Sequence, residues 1–313
     1  MDNEMSFVVE KPGVQATLQA SPRRSMRHLG VPASGAADPL SMALANRLVG
    51  NASDECALEC PLGMVSLRVL KDAAIAITGA SAAVEVGGHA ALMHQTLFAK
   101  AGETVSIGAP VAGARTYIAV AGGFTADEFL GSGSTCLPAG FGGLGGRALK
   151  AGDKLGIHPV SQDMEALSTP ANMRQVFSNS HALRCVPGPD EAVVAGWEFQ
   201  QHITATRRAD RTGIEITGNW PRPEQAALKQ SAPVFPGTVQ LTPSGAAFVL
   251  LPDAQTTGGY PHILQVARVD RHLLGQIRPG DRIQFLRRSP EDAARELRDK
   301  LEYFRDWLPD LAL

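Results

Sequence analysis

Short hydrophobic runs, each followed by glycine or proline, recur along the whole sequence and are its dominant pattern. The runs are rich in valine, isoleucine, alanine and threonine, a composition and length typical of β-strands. The clearest of them cover residues 7–9, 73–78, 104–107, 115–121, 183–186, 238–241 and 248–251. The pattern therefore predicts a mainly β protein.

One early segment breaks this pattern and predicts a helix. Asp38 can cap the helix, and Pro39 stands in its first turn, where a missing N–H group costs nothing. Gly50 and Asn51 then end it. The residues expected on its apolar face are Leu40, Leu44 and Leu48.

A second helix is predicted near the C-terminus. Ser289 can cap it, Pro290 begins it, and Asp292 stands where the acid of a capping box belongs. An apolar stripe follows, interspersed with arginine and aspartate, and must lie on this chain or on another subunit. The stripe consists of Leu297, Leu301, Phe304 and Leu308.

The two halves of the chain share a hairpin pattern. Residues 150–157 (KAGDKLGI) match residues 278–285 (RPGDRIQF), each with a basic residue, a Gly-Asp turn and an alternating strand. A second match joins residues 115–123 to 247–259, in the same order along the chain. Similar offsets predict two β subdomains of like topology. The expected organisation is 1–160 and 183–288 as subdomains, 161–182 as a polar joint, and 289–313 as the C-terminal helix.

Composition narrows the function classes. Of 313 residues, 44% are hydrophobic and 19% are charged, which is enough apolar material for a sizeable core. The net charge of −2 argues against a surface devoted to nucleic acid or anionic membranes. No apolar run approaches the roughly 18 residues of a membrane-spanning helix, and the N-terminus does not have the pattern of a signal peptide. We expect a cytoplasmic protein.

Metal, redox and nucleophile motifs are missing from the sequence. Cys56 and Cys60 are four residues apart with no histidine at ligand spacing, so all four cysteines are interpreted as buried small residues. The eight histidines include no HExxH or paired spacing, and no GxSxG elbow occurs. We expect no bound metal.

Two candidate sites lie in the first half. Residues 29–51 place small residues and a proline before the helix capped by Asp38, whose N–H groups could bind an anion. Glu59 follows in an apolar setting and is either a paired buried acid or a site residue. Residues 131–147 form a glycine-rich loop ending in Arg147, which either cradles a carboxylate or phosphate or is only structural.

Two more candidates lie in the second half. Residues 252–261 place an acid, an amide, two hydroxyls and a phenol directly after a hydrophobic strand. Such polar density suits hydrogen bonding to a small amide or carboxylate. Asp210 and Arg211 add a charged pair on a predicted turn.

These segments together resemble one family. The motifs that carry the resemblance are 30–38 (GVPASGAAD), 45–51 (ANRLVGN), 121–123 (AGG), 142–147 (GGLGGR), 186–189 (VPGP), Asp210-Arg211 with Gly213, and 255–260 (QTTGGY). The sequence resembles the family of the C subunit of bacterial 5-oxoprolinase, the second subunit described for allophanate hydrolase, and the carboxyltransferase domain of urea carboxylase. An antagonist of a sporulation-kinase inhibitor also belongs to that family.

The resemblance implies two cyclophilin-like β-barrel subdomains with a few short helices. It also implies a partner subunit of related fold and allows a third subunit. In a 5-oxoprolinase-type complex, ATP would drive opening of the lactam of 5-oxo-L-proline to L-glutamate. In a urea- or allophanate-type carboxyltransferase, a carboxyl group would pass from carboxybiotin to an amide nitrogen. The sequence has no ATP motif and no biotin attachment site, so neither cofactor is expected on this chain alone.

The same resemblance implies roles for particular residues. Arg147 and Arg211 would hold a substrate carboxylate, since guanidinium groups donate in pairs. Either Glu59 or Asp210 would be the catalytic acid or base. The remaining substrate-binding candidates are Asp38, Asn46, Gln255, Thr256, Thr257 and Tyr260.

Four positions depart from the family pattern by losing a charged side chain. Ala20 and Ala232 stand where the family has acids, and Gly133 and Ala254 stand where it has arginines. Losing paired charges together is physically coherent, because an unpaired buried charge is costly. If Ala20, Ala232 and Ala254 line one cleft, an alternative gains weight: a non-catalytic binding or regulatory subunit that antagonises a kinase-inhibitor-like partner.

Overall fold

The computed structural model describes residues 5–160, 164–195, 203–221 and 230–313. These residues cluster into two compact units. The first unit comprises the residues up to Arg23, Ser34–Phe177 and Phe304–Ala312. The second comprises Arg24–Ala33, Ser178–Tyr303 and Leu313. The first three residues of the expected joint, 161–163, lie outside the described residues.

Two segments cluster differently from the sequence-based division, and local bonds explain both. Residues 24–33 belong to the second unit, because the guanidinium of Arg27 binds the carbonyl of Val234. Residues 304–312 belong to the first unit, where Asp310 accepts a hydrogen bond from the amide of Ser53 at 2.8 Å.

The first unit contains two antiparallel sheets and one α-helix. A six-stranded sheet has the order β11-β1-β4-β9-β6-β7, and a five-stranded sheet has the order β2-β3-β10-β5-β8. The strands are β1 Met5–Pro12, β2 Thr17–Gln19, β3 Ala57–Pro61, β4 Val65–Val69, β5 Ala73–Ser81, β6 Val84–Val86, β7 His89–Ala91, β8 Thr96–Ala99, β9 Thr104–Ile107, β10 Ala112–Val120 and β11 Lys154–Gly156.

The five-stranded sheet is buried on both faces, which explains its nearly continuous apolar strands. Along β10, Ile118 and Val120 join the core between the two sheets. The alternate residues Tyr117 and Ala119 face α1 (Pro39–Leu48) and pack with its apolar side. The capped helix predicted from the sequence is confirmed, since the Asp38 carboxylate accepts from the Ser41 amide at 3.0 Å.

The second unit is built around a closed seven-stranded barrel of order β12-β19-β16-β17-β14-β13-β20. Parallel pairing of β12 with β20 closes it and leaves no free edge. Apolar side chains such as Leu183, Val239 and Phe285 fill its interior. The strands are β12 Ser180–Pro187, β13 Ile203–Ala209, β14 Gly213–Thr217, β15 Ala232–Pro233, β16 Thr238–Leu241, β17 Ala247–Leu250, β18 Thr257–Gly258, β19 His262–Val266 and β20 Arg282–Arg287; β15 and β18 pair outside the barrel.

The C-terminal helix α2 spans Pro290–Phe304, as the capping residues predict. The Ser289 hydroxyl accepts a hydrogen bond from the Asp292 amide at 3.0 Å. Within the chain itself, Leu297 and Leu301 of the predicted stripe are half-buried. Its last members, Phe304 and Leu308, are 5% and 2% exposed, so this end of the stripe is core. Short one-turn 3₁₀ segments at Arg27–Leu29, Ala171–Met173 and Glu191–Val194 and a longer one at Arg268–Gln276 complete the helical structure of the described residues.

The Gly-Asp turns predicted to repeat are built alike in both units. In the first, the Asp153 carboxylate accepts from the Lys150 amide at 2.7 Å, and the Gly152 amide donates to a neighbouring strand at 2.8 Å. In the second, the corresponding distances at Asp281 and Gly280 are 2.8 Å and 2.8 Å. Both glycines have φ near +90°, a conformation that favours glycine. The prediction of a mainly β fold with two β subdomains is confirmed.

Candidate functional site

A cavity of about 520 Å³ opens on the barrel of the second unit, and we call it the barrel pocket. Strand β13 and the turn after it supply one wall, including Arg207, Arg208 and Asp210. Strands β16 and β17 supply the floor through Gln240 and Phe248. The remaining wall is the loop before β19, which contributes Gln255 and Tyr260.

Gln240 is the central polar group of the barrel pocket. It interrupts the hydrophobic strand β16 and is only 2% exposed. Its Oε1 atom accepts from Nε2 of Gln255 at 3.2 Å, and its Nε2 atom donates to the carbonyl of Tyr260 at 3.4 Å. A Cβ on Gly258 would lie 2.4 Å from the same Nε2 atom, so a larger residue there would displace the Gln240 amide. The pocket floor therefore presents paired amide groups, suited to a small amide ligand.

Two exposed arginines stand at the pocket wall. The guanidinium of Arg208 lies 5.5 Å from the ring centroid of Phe248 and donates to Glu215 at 3.0 Å. Arg207 forms no ion pair with any residue that the structure describes. Since guanidinium groups favour planar carboxylates, this wall can attract the acid group of a small ligand.

The predicted pair Asp210 and Arg211 is divided between two roles. Asp210 lines the barrel pocket, where its Oδ1 atom accepts from the amides of Thr212 at 2.7 Å and Gly213 at 3.2 Å. Arg211 is buried and binds both carboxylate oxygens of Asp253, at 2.8 Å and 3.1 Å. Arg211 therefore holds the two pocket loops together, and the structure does not place it in the pocket wall.

The other residues of the predicted QTTGGY motif divide in a similar way. Gln255 and Tyr260 line the pocket, with the Tyr260 side chain 43% exposed. Thr256 uses its carbonyl to accept from the Val234 amide at 3.0 Å. Thr257 lies in β18, opposite Pro233. Of the ten predicted site residues, the pocket wall brings together Asp210, Gln255 and Tyr260.

In the first unit, Asp38 and Glu59 belong to one buried network. Glu59 is fully buried, and its Oε2 atom accepts from the Tyr117 hydroxyl at 2.7 Å and from the Ala37 amide at 2.8 Å. Its Oε1 atom accepts from Nε of Arg115 at 3.3 Å. The Tyr117 hydroxyl in turn accepts from the Asp38 amide at 2.8 Å. Of the two interpretations left open for Glu59, the geometry fits the paired buried acid.

The same network keeps its phenol neutral. Burial, and then the charges of Glu59 and Asp38, raise the pKa of Tyr117 well above its ordinary value. A neutral phenol can donate to one partner and accept from another, as Tyr117 does. This network fixes the loop before α1 to β3 and β10.

Asn46 and Arg147 are both engaged in local structure. The Asn46 side chain donates to the carbonyl of Glu55 at 2.9 Å and accepts from the Asn51 side chain at 3.0 Å, which brackets the end of α1. Arg147 binds both oxygens of Asp153, at 2.7 Å and 2.9 Å. Mutual hydrogen bonding raises the pKa of Arg147 and lowers that of Asp153, so this pair closes the Gly-Asp turn.

The four positions at which the family pattern predicts a charged side chain lie two in each unit. In the first unit, a Cβ on Gly133 would lie 3.8 Å from the Cβ of Ala20. In the second, Ala254 is buried against Val234, and Ala232 pairs with Gly258. None of the four lines the barrel pocket. At these four positions, each unit therefore differs from the expected family pattern by one acid and one base.

Sequence reasoning missed Arg207, Arg208, Gln240 and Phe248. A signal was present for two features: an arginine pair directly before the Asp210 turn, and a glutamine within the apolar run of β16. Among the described residues, no group of three histidine, cysteine or acidic side chains could hold a metal ion. The four cysteines are reduced and buried, as predicted. No helix within the described ranges is long and apolar enough to cross a membrane.

The family described as carboxyltransferase domain, subdomain A and B, matches residues 29–287. This match covers most of the chain, and the chain belongs to that family.

Relatives of two kinds share this sequence and fold. The C subunit of 5-oxoprolinase from Escherichia coli is 34% identical over 94% of this chain and 95% of its own length. The crystal structure of the Kluyveromyces lactis urea carboxylase has a TM-score of 0.89 at 26% identity, over 98% of this chain and 30% of that one. The crystal structure of TTHA0988 has a TM-score of 0.80 at 34% identity, over 90% of this chain and 56% of that one.

Proposed function

We propose that this chain is a subunit of an ATP-dependent complex of the 5-oxoprolinase type, and that the barrel pocket binds the small amide substrate. The observation that carries the proposal is end-to-end similarity to the C subunit of a 5-oxoprolinase, joined to a pocket with amide groups on its floor. By contrast, the chain corresponds to only 30% of the urea carboxylase chain.

The pocket chemistry fits 5-oxo-L-proline, which has a lactam and a carboxylate. The amides of Gln240 and Gln255 can exchange hydrogen bonds with the lactam C=O and N–H groups. Arg207 and Arg208 can hold the substrate carboxylate. Asp210 is the pocket's carboxylate and is our candidate for the general base, because a base must lie within hydrogen-bond reach of its substrate.

The use of ATP and the partner subunits are proposed from the resemblance to 5-oxoprolinase. A partner of related fold, the B subunit of a 5-oxoprolinase, and a third subunit would supply the nucleotide site and complete the reaction. The cytoplasmic location expected from the sequence stays a prediction.

The test is reconstitution of the chain with the partner subunits encoded beside it, followed by 5-oxoproline-dependent ATP hydrolysis. Replacing both pocket arginines by glutamine (Arg207→Gln with Arg208→Gln) is expected to raise KM for 5-oxoproline about 10- to 100-fold, by loss of charge-assisted hydrogen bonds. Arg282→Gln is the matched control, because Arg282 is exposed on β20 and does not line the pocket.

Two other results would redirect the assignment. Urea- or allophanate-dependent transfer of a carboxyl group from carboxybiotin, without oxoproline turnover, would place the chain in the carboxyltransferase class. Stable assembly with a partner but no turnover of either substrate would favour the non-catalytic regulatory subunit. An unchanged KM in the double arginine variant would remove the barrel pocket from the substrate site.

A further inference from the structure

One acid at the edge of the barrel pocket, Glu215, holds a pocket arginine in place. The Glu215 carboxylate accepts from Nη1 of Arg208 at 3.0 Å and from the Thr206 hydroxyl at 2.9 Å. The Thr206 hydroxyl oxygen also accepts from the main-chain amide of Arg208 at 3.1 Å. The side chain and the main chain of Arg208 are therefore both tied to Glu215, the first directly and the second through Thr206.

The sheet register explains why Glu215 reaches the pocket. Glu215 of β14 lies opposite Phe248 of β17, and Phe248 lies opposite Gln240 of β16. Successive side chains of a strand point to opposite faces, and the neighbours Ile214 and Ile216 belong to the core inside the barrel. Glu215, Phe248 and Gln240 therefore form one row on the outer face. Since Phe248 and Gln240 line the pocket, Glu215 stands at its edge.

An irregularity in β13 brings Arg208 over this row. The pairing of β13 with β14 shifts register between Ala205 and Ala209, and such shifts re-aim nearby side chains. The Arg208 guanidinium lies 5.5 Å from the Phe248 ring centroid, and its side chain is 74% exposed. Apart from the contact with Glu215, the guanidinium donates to no residue that the structure describes. Its remaining N–H groups are thus held in place and open to a ligand.

The charges around the pocket accommodate one ligand carboxylate and not two. Arg207 has no ion-pair partner within the described residues. Glu215 balances the charge of Arg208, and Asp210 adds a negative charge to the same wall. A first carboxylate can pair with Arg207 and accept hydrogen bonds from Arg208. A second carboxylate would face Asp210 and Glu215 with no further cation to balance it.

We propose that Glu215 is a positioning residue that holds Arg208 against Phe248 and thereby makes the barrel pocket selective for small monocarboxylates over dicarboxylates. The inference rests on the proposed function, because it takes this pocket as the substrate site. It narrows the substrate class to small amides or lactams that carry one carboxylate, and 5-oxo-L-proline belongs to that class.

The experiment measures binding of 5-oxo-L-proline and, separately, of the dicarboxylate glutarate to the full chain by calorimetry at constant ionic strength. The unaltered chain is expected to bind 5-oxoproline at least tenfold more tightly than glutarate. Glu215→Gln leaves the charge of Arg208 unbalanced and should raise the affinity for glutarate about tenfold. Glu191→Gln is the matched control, because Glu191 also pairs with an exposed arginine, Arg287, and neither lines the pocket. It should leave both affinities unchanged.

A double variant shows whether the effect passes through Arg208. Arg208→Gln with Glu215→Gln removes the cation together with its acid, so the affinity for glutarate should return to that of the unaltered chain. A gain that persists in the double variant, or an equal gain in Glu191→Gln, would overturn the proposal.

The same measurements separate this inference from the proposed function. An unaltered chain that binds 5-oxoproline but binds glutarate equally well would overturn the inference alone. A chain that binds no 5-oxoproline would overturn both the inference and the assignment of the barrel pocket as the substrate site.

Discussion

Replacing Glu59 by glutamine should disrupt the first unit, because the carboxylate balances a buried cation. The Glu59 side chain is fully buried, and that of Arg115 is 9% exposed. Removing one partner of a buried ion pair typically costs about 3–5 kcal/mol of folding free energy. The Glu59 carboxylate accepts hydrogen bonds from both the Tyr117 hydroxyl and the Ala37 amide. If the amide nitrogen of glutamine took that position, two donors would face each other. We therefore expect a loss at the upper end of that range.

The assay is hydrogen exchange of peptides from β3 and β10, combined with urea unfolding. Glu59→Gln should speed exchange in both strands, which pair directly through Tyr117 and Glu59. A double variant, Glu59→Gln with Arg115→Met, removes both charges and should recover part of the lost stability. A Glu59→Gln chain that keeps its stability yet gives an inactive reconstituted complex would refute this reasoning and make Glu59 catalytic.

Three further perturbations test the remaining assignments. Asp253→Asn should cost about 3 kcal/mol in urea unfolding by leaving the Arg211 charge buried, and should raise KM through displaced pocket loops. Burial and then Arg174 lower the pKa of His94 to about 4, below its unfolded value near 6.5. The neutral imidazole therefore leaves the free energy of unfolding undiminished above pH 6.5, and this free energy falls by at most about 3 kcal/mol as the pH is lowered toward 4. His94→Asn should reduce this pH dependence in an acid titration of stability. Arg147→Ala should lower the melting temperature by a few degrees and leave KM unchanged, because its partner lies in a structural turn.

The sequence predicted the fold correctly wherever neighbouring residues determine the local structure. Asp38 before Pro39 predicted the start of α1. Glycine and proline on either side of the apolar runs predicted the limits of β9 and β16. The closing of the barrel was not accessible in this way. It depends on parallel pairing of β12 with β20, about 100 residues later in the chain, and no local pattern specifies such a pairing.

The site was less accessible, because the role of a charged residue depends on its partner. Glu59 and Arg211 carried the right chemistry for catalysis and for substrate binding, but Arg115 and Asp253 already occupy them. Those partners lie 56 and 42 residues away along the chain. Motif membership identified residues that matter, and only the fold separated those that hold loops from those that face the barrel pocket.

The repeated Gly-Asp turn shows how the chain itself can resolve such a choice. In both units the aspartate of the turn accepts from a main-chain amide and also binds a cationic or hydrogen-bonding side chain: Arg147 for Asp153, and His181 for Asp281 at 2.9 Å. Two independent turns that each provide a side-chain partner indicate that this carboxylate needs one. The pairing of Arg147 with Asp153 is then explained by the structure of the turn, without a role in substrate binding. An internal duplication thus tests a functional assignment, because a role shared by both copies belongs to the fold and a role found in one copy is a candidate for chemistry.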